Sequence, residues 1–496
     1  MKIRTASLLL KFRFIAILCC IAVAQPKSKA ATPKPAAAQA GAQKQVRALF
    51  LSDIHFEPFH DPGKAQQLVA APVSQWKTIL ASPASYDAPA RFASLQQICH
   101  ARGEDASFPL YESSLQAIKT AVPDAKFITV SGDLISHSFN CKYKILFPQS
   151  THAEYKAFVE KTIEFVLAQL RAALPAAPVY AAFGNNDADC GDYTLNPNSD
   201  FLTQTGTSIS ASFPAALQKE TEHTFSAGGY YSAPLPAPLE HTRLLVLDNV
   251  FMSKNYAMCS GKPDPSGANA QIAWLKQQLA EARERKEKVW VMGHIPPGVD
   301  PYSTARRFRN VCSGAEPEMF LSSDDLANTL AEFGDVIQLA LFGHTHMDEM
   351  RYLKPAEGAA SSRGVAIKLI PSISPVNGNT PSFTVAAIDA PSATLADYQV
   401  FAASNLTGVN ASWKEEYDYA HAYREPDFSA QSLATLVKGF AADSTASTPA
   451  SDAYLRDYYV RDRSLELRPF WPEYVCAMAD YSIESYKSCR CGGPKP

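Results

Sequence analysis

Residues 335–346, DVIQLALFGHTH, decide how this chain is read. The run 335–342 is almost continuously apolar, as expected of a strand buried on both faces of a parallel sheet. It ends in Gly343-His344-Thr345-His346, which puts two imidazoles at the carboxyl end of a strand. Open α/β sheets place their sites there.

Working outward, the same arrangement recurs four times. The strand-like run 46–52 leads into Asp53-Ile54-His55, and 126–131 into Gly132-Asp133. The run 179–183 leads into Gly184-Asn185-Asn186-Asp187, and 288–292 into Gly293-His294. Further strands are expected at 243–248, 364–370 and 383–388, with helices at 111–121, 154–174 and 271–286. The helix at 154–174 carries Tyr155, Phe158, Val159, Val166, Leu167 and Leu170 on one stripe, and Pro175 and Pro178 stop it. Strands alternating with helices predict an α/β layered fold with helices covering a sheet core. The chain has no internal repeats.

Two residues separated by one lie on the same side where a strand ends, so Asp53 and His55 can reach one ion. Asp133 offers two carboxylate oxygens that can bridge a pair of ions. Asn185 offers an amide oxygen; His294, His344 and His346 offer imidazoles. This donor set suits zinc first, with manganese or iron as alternatives, and needs no thiolate. Two divalent ions against Asp53, Asp133 and a bridging hydroxide leave a charge of about +1, which favours a phosphate anion. Two such ions also lower the pKa of the water between them and clamp the phosphoryl oxygens. Each segment alone is weak; their number and order carry the reading.

The five segments resemble the calcineurin-like metallophosphoesterase superfamily, with its pattern D-x-H, G-D, G-N-H-[DE], G-H and G-H-x-H. The resemblance implies a four-layer sandwich of two mixed β-sheets flanked by helices. It also implies that Asp53, His55 and His346 bind one ion, that Asn185, His294 and His344 bind the other, and that Asp133 bridges them. A narrower likeness is to the acid sphingomyelinase-like and endopolyphosphatase-like branch. It rests on the export signal, the run from Gly293 to Gly298, the Trp274-Leu275 helix and a Cys-bearing helical tail. One departure stands out: Asn186 replaces the family's histidine after the metal-binding asparagine. Members of the branch carry a histidine four residues after the bridging aspartate, and His137 stands at that position here, able to protonate a departing alkoxide. His137, Asn186 and Asp187 are therefore the candidate catalytic residues.

The rest of the chain bounds this reading. With 496 residues, 46% of them hydrophobic and 19% charged, the protein can bury one large core or two ordinary ones. Residues 1–24 have a basic start, an apolar stretch and Ala22-Val23-Ala24, the form of a cleaved signal peptide, which predicts a secreted or periplasmic protein. Residues 25–45, rich in Ala, Pro, Lys and Gln, read as a disordered linker. Residues 46–401 read as the catalytic domain and 402–496 as a small helical C-terminal subdomain, with helices at 452–462 and 473–487. Beyond the signal lie eight cysteines, an even count that suggests up to four disulfides of unknown pairing.

A net charge of −3 gives no footprint for nucleic acid. Arg306, Arg307 and Arg309 form a local basic cluster, read either as a solvated loop or as an anion-capturing site. No obligate protein partner is evident. The expected function is an exported two-metal phosphodiesterase acting by attack of a metal-bridging hydroxide. Its substrate would be a phosphodiester such as sphingomyelin or a similar phospholipid head group, met by transient contact with a membrane surface. A phosphoanhydride hydrolase acting on polyphosphate or nucleotides is the alternative. A metal-binding surface protein without turnover is the alternative of another class.

Overall fold

The computed structural model describes residues 45–307, 310–356, 358, 362–461 and 467–492. The expected signal peptide, the linker up to residue 44, Arg309 and the end of the 452–462 helix lie outside the described residues.

Among the described residues, twelve strands form two six-stranded sheets. The first takes β1 (Gln45–Leu51), β2 (Ile128–Ser131), β3 (Val179–Ala182), β10 (Ser382–Asp389), β11 (Thr394–Ala403) and β12 (Trp413–Asp418) in the order β12-β11-β10-β1-β2-β3. The second takes β4 (Tyr231–Pro234), β5 (Thr242–Val246), β6 (Lys288–Met292), β7 (Ile337–Phe342), β8 (Glu349–Leu353) and β9 (Val365–Leu369) in the order β4-β5-β6-β7-β9-β8. β1, β2 and β3 pair in parallel, as do β5, β6, β7 and β9, and the remaining pairings are antiparallel. These are the expected two mixed sheets with helices around them.

The inner faces meet through aromatic side chains. Trp290 of β6 lies edge-on to Phe50 of β1, with ring centroids 5.9 Å apart, and also to Phe127 ahead of β2. Its indole N–H donates to the Ala393 carbonyl at 2.8 Å, so its one polar group is satisfied within the core. Outside the first sheet, the helix His152–Ala173 buries the expected stripe together with Ile163 and Phe165. Thr151 starts that helix with a capping box: its hydroxyl accepts from Glu154 N–H while the Glu154 carboxylate accepts from Thr151 N–H. Such a cap stabilises the helix by about 1 kcal/mol.

Three expectations need correction. Gln45 begins β1 and does not end a linker. The expected boundary at 402 falls inside β11, and β12 adds a further strand at the edge of the first sheet, so the helical part begins only at Tyr419. β12 was hidden because its Lys414, Glu415 and Glu416 suit a solvated edge strand and break the apolar pattern. The helix expected at 473–487 is two helices, Trp471–Ala479 and Ile483–Cys491. Asp480 leaves helical geometry, and Ser482 caps the second helix.

All eight cysteines of the described residues pair, as Cys99–Cys141, Cys190–Cys259, Cys312–Cys491 and Cys476–Cys489. The last two bridges tie the C-terminal helices to each other and to the segment that follows β6. No described helix is long and apolar enough to cross a membrane.

Candidate metal centre

Five strands of the two sheets end at one place. Asp53 and His55 follow β1, Asp133 follows β2, Asn185 follows β3, His294 follows β6, and His344 and His346 follow β7. The loops are knitted across the sheets: Asp53 N–H donates to the Gly132 carbonyl, and the Asp53 carboxylate accepts from His344 N–H at 3.0 Å. Ser52 Oγ donates to the same carboxylate at 2.5 Å.

The backbone carries strain here. Asp53, His55, Asp133, His344 and His346 have φ of 48°, 46°, 54°, 72° and 68°, in the left-handed region that non-glycine residues seldom occupy. Such residues concentrate at functional sites, where surrounding contacts hold them. The neighbouring glycines are required by space: a Cβ on Gly184 would collide with the Asp133 carboxylate, and one on Gly343 with Ser52 Oγ.

The seven side chains sort into two sets of four donor atoms that share Asp133 Oδ2. In the first, His55 Nε2 lies 3.1 Å from His346 Nε2, 3.6 Å from Asp53 Oδ1 and 3.4 Å from Asp133 Oδ2, and His346 Nε2 lies 3.5 Å from Asp53 Oδ1. In the second, Asn185 Oδ1 lies 3.1 Å from His294 Nε2 and 2.9 Å from His344 Nδ1. His294 Nε2 is 3.3 Å from His344 Nδ1 and 3.2 Å from Asp133 Oδ2. Donors roughly 2.1 Å from a shared ion stand roughly 3.0–3.6 Å from one another, so both sets have the spacing of a coordination shell. Nitrogen and oxygen donors of this kind fit zinc, manganese or iron.

Neighbouring carbonyls choose which imidazole nitrogen faces inward. His55 Nδ1–H donates to Ile135 O at 3.0 Å and His294 Nδ1–H to Ser131 O at 2.7 Å, which leaves both Nε2 atoms for an ion. Without an ion, charge pairs hold the site. Burial alone would lower His55 and His294, but Asp133 and Asp53 outweigh it and push them up to about 9 and about 10. Burial lowers His344 to about 4 and His346 to about 3, so both are neutral. Burial would raise Asp53 and Asp133, yet the surrounding imidazoles hold both carboxyls below the usual range.

The three candidate catalytic residues separate. His137 stacks on His55, with ring centroids 3.9 Å apart and 19° between the planes, and is partly exposed above the first set. Asn186 turns toward Asp133, its backbone N–H donating to Oδ1 at 2.8 Å and its amide to Oδ2 at 2.9 Å. Asp187 does not reach the reacting space: its carboxylate accepts from the N–H groups of Gly184, Leu134 and Ile135. Burial, with the Asp133 charge adding, pushes it up to about 7 while those amides pull down. The Asp187 carboxylate thus ties the β2 and β3 loops together, and the Asn186 side chain and backbone both bond to the shared carboxylate.

Sequence reasoning missed three neighbours. Asp105 accepts from His137 N–H at 2.7 Å, lies 3.0 Å from His137 Nδ1, and accepts from Ser374 Oγ at 2.8 Å. Asn249 Oδ1 accepts from the N–H groups of His294 and Ile295, both at 3.0 Å. Asp192 accepts from Asn185 Nδ2 at 2.7 Å. None stands in a motif; folding alone brings each to its partner, except Asp192, seven residues from its own.

The calcineurin-like phosphoesterase family model matches residues 46–348, which include all seven donors together with His137, Asn186 and Asp187. The chain belongs to that family and is a metal-dependent phosphoester hydrolase. It is 28% identical over 408 residues to acid sphingomyelinase-like phosphodiesterase 3b of Homo sapiens, covering 78% of this chain and 80% of that protein. It is 24% identical over 326 residues to sphingomyelinase phosphodiesterase C of Dictyostelium discoideum, covering 63% and 66%. It is 25% identical over 407 residues to a cyclic GMP-AMP phosphodiesterase of Mus musculus, covering 78% and 81%. Its likeness is thus to the acid sphingomyelinase-like branch.

Proposed function

We propose that this chain is an exported phosphodiesterase whose centre holds two divalent ions, zinc in the first instance. The observation that carries the proposal is the pair of donor sets sharing Asp133 Oδ2. Asp53, His55 and His346 would hold one ion, Asn185, His294 and His344 the other, with Asp133 between them. When bound, the ions supply an acidified water and positive charge for the phosphoryl oxygens.

The chain's own groups do the rest. Asn186 holds the shared carboxylate in place, and Asp187 fixes the two loops that carry it and Asn185. Asp105 occupies His137 Nδ1, which leaves Nε2 to donate a proton to the leaving alkoxide. That assignment fills the place left by Asn186.

Phosphodiesters are favoured over phosphoanhydrides because the described arginines of the basic cluster are already engaged. Arg307 is ion-paired with Glu318, and the Arg306 guanidinium lies over the Tyr302 ring. The relatives named for sphingomyelin and cyclic GMP-AMP cleavage support a diester, with a phospholipid head group as the first choice and a nucleotide diester as the second. Four disulfides fit an oxidising compartment, and so support export.

The test is a substrate panel on the metal-loaded protein: bis-p-nitrophenyl phosphate, p-nitrophenyl phosphate, sphingomyelin, cyclic GMP-AMP, ATP and polyphosphate. Faster diester than monoester cleavage, with turnover of sphingomyelin, is the expected result. Preferred cleavage of ATP or polyphosphate would overturn it in favour of the anhydride reading.

A further inference from the structure

We infer that Asp192 is a positioning residue that sets which end of the Asn185 amide faces the second donor set; this rests on the two-metal reading above. An asparagine side chain presents a carbonyl oxygen on one side and an NH2 group on the other, and only the oxygen can ligate a cation. Nothing in the amide itself chooses between them. Asn185 Nδ2 donates to Asp192 Oδ1 at 2.7 Å, and Oδ1 is thereby turned to within 3.1 Å of His294 Nε2 and 2.9 Å of His344 Nδ1. A carboxylate has only acceptors, so the opposite rotamer would set two acceptors against each other and aim the NH2 at the ion.

The first set has no such ambiguity. Both oxygens of Asp53 can ligate, and a backbone carbonyl holds Nδ1 of His55. In the second set, the carboxylate that orients the amide stands at an exposed rim. Its segment is held from both sides: Tyr193, with φ of 57°, donates its N–H to Asn185 O at 2.9 Å and accepts from Ala257 N–H at 3.1 Å. The Cys190–Cys259 bridge closes the same segment. Asp192 is thus fixed relative to Asn185 by covalent and backbone constraints, which is what orienting an amide requires.

Groups that orient a ligand typically change metal affinity by about 10–100-fold when removed. The experiment titrates metal-free protein with Mn2+ by calorimetry, with electron paramagnetic resonance to report whether two ions are coupled. Wild type is expected to take up two coupled ions. Asp192→Ala is expected to weaken one of the two by about 10–100-fold, leave the other unchanged and lose the coupled signal at limiting Mn2+. Asp192→Asn keeps an acceptor oxygen for Asn185 Nδ2 and is expected to stay within a few-fold of wild type.

Asn185→Asp presents two ligating oxygens and has no amide to orient, so in that background Asp192→Ala is expected to cost the second ion no affinity. A loss of about 10–100-fold there would show that Asp192 acts on the site by some other route and would overturn the inference. Equal weakening in Asp192→Ala and Asp192→Asn, or two unaltered ions in Asp192→Ala, would overturn the inference. Wild type that binds fewer than two ions would instead overturn the two-metal reading itself.

Discussion

The two donor sets differ in charge and in enclosure. The first consists of Asp53, His55 and His346, whose exposures are 0%, 0% and 2%, and it has a carboxylate of its own. The second consists of Asn185 and His294, with exposures of 5% and 0%, and the partly exposed His344; it has no carboxylate apart from the shared Asp133, and the Tyr193 hydroxyl lies 3.5 Å from His344 Nε2. A buried anionic set holds a cation by itself. A set without a carboxylate of its own would depend on the shared Asp133 and on oriented neighbours, and would hold its ion less tightly.

The largest expected effect comes from the atom the two sets share. Asp133→Asn should lower kcat for a diester by roughly three orders of magnitude, a barrier increase of about 4 kcal/mol, together with loss of coupled metal binding. Full metal occupancy with wild-type turnover would break the comparison at its centre.

His137→Ala comes next, because His137 stacks over the first set. Turnover of an alkoxide diester should fall by about 100-fold, while the nitrophenyl diester, whose leaving group needs no proton, should change little. Equal losses on both would mean that His137 only positions the phosphate.

Chelation should separate the sets in time. With EDTA, one ion should leave before the other, and His344→Ala should speed the first departure, whereas Asp53→Asn should release the ion that otherwise stays. Simultaneous loss in all three proteins would make the sets equivalent.

The smallest effect concerns protons. Folding raises His55 to about 9 and His294 to about 10, so both are charged at neutral pH in the metal-free protein, one in each set, while His344 and His346 are already neutral. Metal loading near pH 7.5 should therefore release about two protons, and affinity should rise with pH until those groups deprotonate unaided. Calorimetry in buffers of different ionisation enthalpy measures the number, and no proton release would contradict the charge assignment.

What the sequence discloses and what it hides follow from the range of the interactions. Asp53, Asp133, Asn185, His294 and His344 announce themselves because each follows a short apolar run, and a buried strand and its end are local features. β8 stays hidden because its Glu349 and Arg351 are charged residues that pair in the interior, 3.6 Å apart, so the strand lacks an apolar pattern. Asp105 lies 32 residues from His137, and Ser374 lies 269 residues from Asp105; only tertiary folding joins them. Asp187 shows the opposite case: the motif marks it as a candidate, but which atoms its carboxylate meets, the backbone amides of Gly184, Leu134 and Ile135, is set by the fold. The left-handed backbone of five of the seven donors is likewise invisible in the residue pattern, although aspartate and histidine tolerate that conformation better than most residues.

The most direct test of the two-set account is a crystal structure of the protein loaded with Mn2+, with the ions placed by anomalous scattering. The account predicts two peaks about 3.5–4 Å apart on either side of Asp133 Oδ2, one among Asp53, His55 and His346 and the other among Asn185, His294 and His344. A single peak, or a second peak held by His137 in place of Asn185, would contradict it.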